Sequence, residues 1–483
     1  MNEKLNDALN EISDKHIMES AKTKKKAPYW FGAVAAVLVA ALLVGILWHP
    51  SAQLPTVQGT LPGDLPRPSI PTGTLQLPNL LSGPEYPKMV TSDLVDSSIS
   101  RKEWFDSQNA QYNQPAGYAD SLDDFFARSI PEFLSGEGNQ AYSPVNLYLA
   151  LAMLAESANG NSRQQLLDLL GADSIEALRT QAGHVWNAHY SSYGLTASIL
   201  ANSLWMDDSS AFNAETVQTL ADSYYASLFS GDLGTEEMNE QLRQWINYQT
   251  GGLLENQTKE LTMDANTVCA LVSTICFSAQ WEDEFEEKNT ANGVFHCADK
   301  NLITSFMNRT ADGIYYRGEN FGAVRLEITG RNAMWLILPD EGISTQEVLK
   351  SGEYLSLTQN YKNWENRKSI KINLSLPRFD ISSRTDLVEG MKRLGVTDVF
   401  SSTDADLSNL LTEKASVNKI DHAVRVAIDE EGVTAAAFTV IETLNGGIDL
   451  PSKSIDFILD RPFLFIVSSR DNLPLFAGIV AEP

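Results

Sequence analysis

The feature that most restricts how this chain can fold is an uncharged apolar run near its beginning. Residues 29–48 read YWFGAVAAVLVAALLVGILW, close to the ~20 residues that a helix needs to cross a lipid bilayer. Aromatic residues stand at both ends, four lysines precede the run, and the next Lys or Arg after it is Arg67. Because basic residues are retained on the cytoplasmic side, residues 1–28 are predicted to lie in the cytosol and the rest of the chain outside.

A cleaved signal peptide is the alternative interpretation of this run. Its apolar core is longer than that of a usual signal peptide, and no small-x-small cleavage motif directly follows Trp48. We therefore expect a single-pass anchor in the cell membrane. Before the anchor, Leu5, Leu9, Ile12 and His16 share a helical spacing. This pattern predicts a short amphipathic helix, which either docks a cytosolic partner or remains a solvated or membrane-lying tail.

The chain beyond the anchor divides into two parts. Residues 49–117 are rich in Pro, Gly, Ser and Thr, a composition that favours an extended extracellular stalk over a packed core. From residue 118 to residue 483, amphipathic and buried helices are mixed with β-branched, aromatic-rich runs. Several of these runs, such as ALVSTICFSAQW and PFLFIVSS, are apolar on both faces. They predict an α+β domain with a central sheet covered on both sides.

Charge, cysteine content and motifs argue against several functions. The chain has 62 acidic and 36 basic residues and a formal net charge of −26, which repels phosphates and argues against nucleic-acid binding. Cys269, Cys276 and Cys297 have no metal-ligand spacing, so we expect free thiols and no metal site. The sequence has no G-x-S-x-G, H-E-x-x-H or Walker motif. We therefore expect neither enzymatic activity nor a cofactor.

Eight collinear segments of the second part carry a family resemblance. They begin with NQAYSPVNLYLALAMLAESANGNSRQQLLDLLG, pass through LRQWINYQTGGLLENQ, ALVSTICFSAQWEDEF and VNKIDHAVRVAIDEEGVTAAAF, and end with DRPFLFIVSSRDNLPLFAGIVAEP. In this order they resemble the serpins, the family with the serine protease inhibitor fold. The resemblance implies a central β-sheet A, two further sheets and about eight or nine helices. With no disulfide framework behind a membrane anchor, we expect a bacterial, membrane-anchored member whose serpin domain is extracellular.

The resemblance also implies a reactive loop whose hinge consists of Glu430, Glu431, Gly432, Val433, Thr434, Ala435, Ala436 and Ala437. In serpins a protease attacks this loop, and the hinge then inserts as a strand into the central sheet. Insertion requires small or β-branched side chains on the inward face, because bulk overpacks that face and buried charge is desolvated. From Gly432 to Ile441 there is neither charge nor proline, which favours an inhibitory loop over a non-inhibitory one.

Two further groups of residues match serpin positions that govern how the central sheet opens. Trp281 matches the breach tryptophan, at the top of the sheet where the hinge enters. The shutter, a hydrogen-bonded group beneath the sheet, is matched by Ser143, Pro144 and His422. Ser273 stands where the family usually has Asn, and Asn146 stands where Ser is common, so we expect Asn146 to supply the missing amide.

The loop sequence also bears on the target. The usual loop length puts the scissile bond near Asn445 to Gly447, and the extra length of this loop allows a shift toward Leu450. The scissile region is therefore predicted to comprise Leu444, Asn445, Gly446, Gly447 and Ile448. Lys453 is the sole basic residue nearby, which favours elastase-like or subtilisin-like serine proteases over trypsin-like ones. The alternatives are a non-inhibitory binding module with a serpin fold and a trans-envelope protease sensor.

Overall fold

The computed structural model describes residues 35–40, 75–84, 112–193, 196–259, 261–433 and 453–483. Within these ranges the chain forms ten α-helices and nineteen strands. The helices are α1 Leu122–Phe133, α2 Pro144–Ser157, α3 Gly160–Leu170, α4 Ile175–His189, α5 Ala214–Ser223, α6 Glu236–Gln249, α7 Glu255–Thr258, α8 Thr345–Ser351, α9 Glu353–Asn360 and α10 Val388–Arg393.

The strands form two mixed sheets, so the predicted α+β class is confirmed. In chain order they are β1 Ala35–Ala40, β2 Leu80–Ser82, β3 Gln140–Tyr142, β4 Ser191–Tyr193, β5 Thr196–Asp207, β6 Ala226–Gly231, β7 Thr267–Gln280, β8 Ala291–His296, β9 Asn301–Arg317, β10 Phe321–Ile328, β11 Asn332–Pro339, β12 Arg367–Pro377, β13 Phe379–Asp386, β14 Ser416–Val417, β15 Asp421–Ile428, β16 Gly432–Val433, β17 Ser454–Ile458, β18 Phe463–Ser468 and β19 Pro474–Val480.

The central sheet has ten strands, with the main order β13-β15-β16-β7-β5-β6-β2. Strands β5 and β7 pair antiparallel from Thr196 opposite Ala279 to Met206 opposite Cys269. Every residue of β7 is buried. Since successive side chains of a strand point to opposite faces, this burial shows that the sheet is covered on both sides there.

The second sheet has nine strands, with the main order β17-β12-β9-β10-β11-β18-β19-β3 and with β8 also paired to β9. Two separate sheets were expected here in addition to the central one. The described strands form one continuous sheet instead, because the long strand β9 pairs with β8 and β12 over most of its length and with β10 at its end.

Helix α2 contacts β7 of the central sheet, and all of its residues are buried. Ser143, the residue before the helix, donates its backbone N–H to His422 of β15. Pro144 occupies the first turn of α2, where a missing N–H has no cost. The next helix, α3, is capped by Gly171, whose φ of 65° is the left-handed conformation common after a helix end. The contacts of α2 with β7 and of Ser143 with β15 fix the position of the first turn of α2 relative to the central sheet.

Part of the predicted stalk lies on the domain. Within residues 49–117 the structure describes residues 75–84 and 112–117, and β2 pairs with β6 at the edge of the central sheet. Asn79 exchanges two hydrogen bonds with Gln241, at 3.1 and 2.9 Å. The extended stalk is therefore wrong for residues 75–84, because leucines interspersed among the prolines pack against the core.

The predicted membrane helix also differs from the structure where it is described. Of residues 29–48, only Ala35–Ala40 are described, and they form a strand parallel to β7 and β14. The unpaired edge of β7 below the hinge offers backbone hydrogen-bonding groups that an apolar segment can satisfy as a strand. Within the described part of the chain, no helix is long and apolar enough to cross a membrane. The cytosolic tail lies outside the described residues.

The three cysteines are free thiols, as expected. Cys269 and Cys276 are buried on β7, and burial raises the pKa of each thiol to about 12. At neutral pH both are therefore protonated and poor nucleophiles. Among the described residues, no three His, Cys, Asp or Glu side chains are grouped so as to hold a metal ion.

Candidate functional site

The hinge already forms a short strand between two long ones. In β16, Gly432 lies opposite Gln280 of β7, and Val433 lies between Ala279 of β7 and Ile428 of β15. Both pairings are antiparallel. Val433 is only 2% exposed. Gly432 and Val433 of the predicted hinge are thus inserted at one end of the central sheet.

Gly432 is required by the close approach of β7. A Cβ atom at this position would lie 2.2 Å from the carbonyl oxygen of Ala279 and 2.8 Å from Cα of Gln280. Real Cβ atoms do not come this close to backbone, so only glycine allows the hinge to enter here. The other predicted hinge residues from Thr434 to Ala437, and the scissile region Leu444 to Ile448, lie outside the described residues.

The turn that leads into the hinge is closed by Asp429, a residue that the sequence analysis did not identify. Its carboxylate oxygen Oδ1 accepts hydrogen bonds from the backbone N–H groups of Glu431 and Gly432, at 3.0 and 3.1 Å. Its own N–H donates to the carbonyl oxygen of Gly432 at 3.1 Å. An aspartate three residues before a glycine is a recognisable turn signal. Asp429 fixes the direction in which the hinge leaves β15.

Glu430, a predicted hinge residue, is held by distant parts of the chain. Its side chain is buried, and its carboxylate accepts hydrogen bonds from Nε and Nη2 of Arg378, at 2.9 and 2.5 Å. Thr290 Oγ1 donates to the same carboxylate. A bidentate pair of this kind is directional and short. Arg378 and Thr290 are 52 and 140 residues away, so no local pattern could have revealed them.

Trp281 lies where the hinge enters, directly after β7. Its indole Nε1 donates to the carbonyl oxygen of Asp429 at 2.8 Å, and its backbone N–H donates to that of Glu431 at 3.0 Å. Its ring contacts Phe285 edge-on, with centroids 5.9 Å apart. Phe285 in turn donates its backbone N–H to Glu430. Three N–H groups of the breach, two from Trp281 and one from Phe285, therefore bind the turn that precedes the hinge, while the indole itself stays buried.

The predicted shutter residues Ser143, Pro144 and His422 come together under the central sheet. The backbone N–H of Ser143 donates to Nε2 of His422 on β15, at 3.0 Å. The hydroxyl of Ser143 donates to the carbonyl oxygen of Leu475 on β19, at 2.7 Å. Because Nε2 accepts a hydrogen bond, the imidazole is neutral with its proton on Nδ1. The start of α2 is therefore bonded to β15 and to the second sheet.

Asn146 and Ser273 form a second buried link, one turn along the same helix. The hydroxyl of Ser273 on β7 donates to Oδ1 of Asn146 at 2.5 Å, and Nδ2 of Asn146 donates to the carbonyl oxygen of Ser273 at 3.4 Å. Asn146 on α2 thus supplies the amide of this link, and Ser273 on β7 supplies the hydroxyl. The first turn of α2 bonds to both strands that flank β16.

This link leads to a stability prediction. Asn146→Ala leaves the buried hydroxyl of Ser273 without its partner, and we expect a loss of about 1–3 kcal/mol in the free energy of unfolding. The measurement is the guanidinium midpoint, with Asn363→Ala as the control because Asn363 is exposed and bonds only a neighbouring side chain among the contacts described. The double variant Asn146→Ala, Ser273→Ala should lose less than the sum of the two single losses. Strict additivity would contradict a direct coupling of the two residues.

Comparison with known proteins supports the same architecture. A family model described as "Serpin (serine protease inhibitor)" matches residues 122–483. Horse alpha-1-antiproteinase 2 is 29% identical over 414 residues, which cover 82% of this chain and 95% of the relative. Mouse leukocyte elastase inhibitor A is 30% identical over 373 residues, which cover 72% and 94%. The native structure of tengpin, a thermophilic serpin, is 26% identical with a TM-score of 0.68, and the match covers 77% of this chain and 95% of tengpin.

Proposed function

Because the chain belongs to the serpin family, we propose that it inhibits serine proteases by inserting its own cleaved loop into the central sheet. The observation that carries this proposal is the placement of β16, which begins a strand between β7 and β15. A protease serine that attacks the loop forms an acyl ester with the new carboxyl end and releases the amine. If the hinge inserts before water hydrolyses this ester, the protease stays attached. The chain acts as a substrate that traps its enzyme, and it has no catalytic role.

The registers in which β16 pairs with β7 and with β15 are consistent with further insertion of the loop. Val433 faces Ala279 on one side and Ile428 on the other, and each further residue of an antiparallel strand moves one position back along both neighbours. Extended in this way, Thr439 would lie between Ser273 of β7 and His422 of β15, directly above the shutter. Both flanking strands are therefore in phase to receive the same inserted strand.

The side chains of the loop also suit insertion. Residues that share the face of buried Val433 follow at every second position, and they are Ala435, Ala437, Thr439 and Ile441. Each is small or β-branched and uncharged. A strand of this composition can be buried without a desolvated charge and with little overpacking.

Full insertion requires that β1 leave the sheet. β1 pairs with β7 between Thr267 and Ser273, and the extended register of the loop would use the same stretch of β7 from Thr439 onward. One edge of a strand can pair with only one partner at a time. We therefore propose that the anchoring of residues 29–48 in a membrane frees the lower part of β7 for the loop.

The proposed targets are elastase-like or subtilisin-like serine proteases. Two observations support them: the absence of arginine from the predicted scissile region, and the similarity to an elastase inhibitor and an antiproteinase. A shallow apolar specificity pocket accepts Leu444, Ile448 or Leu450, whereas a trypsin-like pocket needs a cation to pair with its buried carboxylate.

The test of this function is incubation with elastase, subtilisin, chymotrypsin and trypsin, followed by denaturing electrophoresis. We expect a covalent complex with elastase or subtilisin, a slower one with chymotrypsin, and no efficient complex with trypsin. Mass spectrometry of the released peptide should locate the cut between residues 444 and 450. Cleavage without any covalent complex would instead identify a non-inhibitory binding module, and a cut after Lys453 with trypsin as the fastest partner would overturn the target assignment.

The proposed location is the outer face of a cell membrane, with residues 1–28 in the cytosol and available to a cytosolic partner. The basis is the lysine asymmetry around residues 29–48. Protease added to intact cells should cut between the proposed anchor and the inhibitor domain and release a fragment of roughly 40 kDa that contains this domain. An antibody to the tail should detect its epitope only after lysis. Protection of the domain until lysis would show the opposite orientation.

A further inference from the structure

The outer edge of the central sheet, at β6, binds a segment that the family match does not include. Strand β6 pairs with β5 along one edge and with β2 along the other, and β2 ends the strand order of the sheet. β2 belongs to residues 75–84, whereas the family match begins at residue 122. The serpin domain therefore presents a sheet edge to which a segment from outside it adds a strand.

Asn79, directly before β2, is bound through all four of its hydrogen-bonding groups. Its backbone N–H donates to Oε1 of Gln241 at 3.1 Å, and its carbonyl oxygen accepts from the backbone N–H of Ser230 at 3.2 Å. Its side-chain Nδ2 donates to the carbonyl oxygen of Ser230 at 2.8 Å, and its Oδ1 accepts from Nε2 of Gln241 at 2.9 Å. Only a short side chain with both a donor and an acceptor can make this set of contacts.

The partner of Asn79 on α6 is a buried side chain. Gln241 is only 4% exposed, and both the oxygen and the nitrogen of its carboxamide bond to Asn79. Buried polar groups are almost always hydrogen-bonded in native proteins, and one that loses its partner is strongly unfavourable. The buried carboxamide of Gln241 therefore selects a strand that carries asparagine at this position.

Shape and apolar packing complete the recognition of this segment. A Cβ atom at Gly231, the last residue of β6, would lie 2.7 Å from Nδ2 of Asn79, so a larger residue there would displace the amide. Leu80 pairs with Phe229 of β6, and the partly buried Leu77, Leu80 and Leu81 pack against the core. We call β6 together with Gln241 the β6 edge site. It recognises an extended segment by backbone pairing, one asparagine and several leucines.

The connection between this segment and the domain is long enough to reach a neighbouring molecule. Residues 85–111 join residues 75–84 to the described part of the chain that begins at residue 112. At ~3.3 Å per residue this connection can span up to about 90 Å, whereas a domain of this size has a diameter of about 50 Å. The same strand can therefore meet the β6 edge site of its own chain or of a second one.

We propose that the β6 edge site binds residues 75–84 of a second copy of this chain, so that two copies exchange these segments reciprocally. Each copy supplies Asn79 and the leucines to its partner and receives the same residues in return. Because the contacts between strand and site are identical within one chain and between two, the exchange costs only the freedom lost on association. The interface is isologous, so it closes as a pair. The pairing is independent of the proposed inhibition.

The first test asks whether the site recognises the strand when it comes from outside the chain. In the full-length double variant Asn79→Ala, Leu80→Asp, the chain's own segment should leave the site open. A fluorescent peptide of residues 75–84 should bind this variant with a Kd of about 100 μM or tighter, measured by fluorescence anisotropy. The peptide with Asn79→Ala should bind at least about tenfold more weakly, because Gln241 then lacks its partner. No binding to the natively folded variant, or equal binding of the two peptides, would overturn the site.

The second test measures exchange between full-length chains. Two versions with different affinity tags are co-expressed and solubilised in detergent, and capture of one should retain the other. Co-capture should be lost when both chains carry Asn79→Ala, Leu80→Asp, and Gln241→Ala should reduce it several-fold from the opposite side of the contact. Gln76→Ala is the control, because Gln76 is exposed in the same segment. Co-capture that neither variant changes, or peptide binding without any co-capture of the unaltered chains, would overturn the exchange.

Discussion

A single cut in the reactive loop beyond Ile441 is expected to raise the melting temperature of the domain by tens of degrees. Before cleavage, the described part of the loop contributes only Gly432 and Val433 to the central sheet. After cleavage, the released hinge can continue between β7 and β15 and form backbone hydrogen bonds to both strands. The uncut form is thus held kinetically above a more stable state.

The measurement is a thermal melt followed by circular dichroism before and after limited cleavage with a protease that does not form a complex. A matched sample cut in the linker before residue 112, outside the family match, should melt like the uncut protein. If the loop-cut domain melts at the temperature of the uncut domain, insertion does not occur and the inhibition mechanism proposed here is wrong.

Replacing Val433 with arginine is expected to abolish inhibition while the loop remains a protease substrate. Val433 is 2% exposed between Ala279 and Ile428, and an unpaired guanidinium there would be desolvated at a cost of several kcal/mol. The hinge would then be expelled or stalled, and water would hydrolyse the acyl ester before the protease is trapped. Covalent complex on denaturing electrophoresis should disappear, whereas cleaved inhibitor should accumulate.

The matched control for this change is Val294→Arg. Val294 lies on β8 with 45% of its surface exposed, so the same substitution there should leave complex formation intact. The loop-cut Val433→Arg protein should also lack the rise in melting temperature. An inhibitor that is unaffected by Val433→Arg would exclude insertion along the register described here.

The residues of the shutter show how much of this group could be predicted from the sequence. The resemblance identified Ser143, His422 and Asn146 by position, and the structure brings them under the central sheet through the first turn of α2. Their exact partners were not all predictable. The acceptor for the hydroxyl of Ser143 is the carbonyl oxygen of Leu475, more than three hundred positions away, and backbone carbonyls carry no signature in the sequence.

The docking of residues 75–84 shows where composition misled. Pro, Gly, Ser and Thr dominate residues 49–117, and this average favoured a stalk. A short segment with four leucines and Asn79 nevertheless adds a strand to the sheet edge, because Gln241 and β6 offer matching hydrogen-bonding groups. Whether a short apolar segment docks depends on a complementary edge, and that edge exists only in the folded domain.

The sequence by itself determined the strands that are apolar on both faces and the segment from Gly432 to Ile441 that is free of charge and proline, because each depends on residues close together in the chain. Only the tertiary structure decided what holds the hinge. Arg378 and Thr290 bind Glu430 from two different strand ends, and Trp281 binds Asp429 across the sheet. These contacts join positions far apart in sequence, so their geometry is set by how the two sheets pack and not by any local pattern.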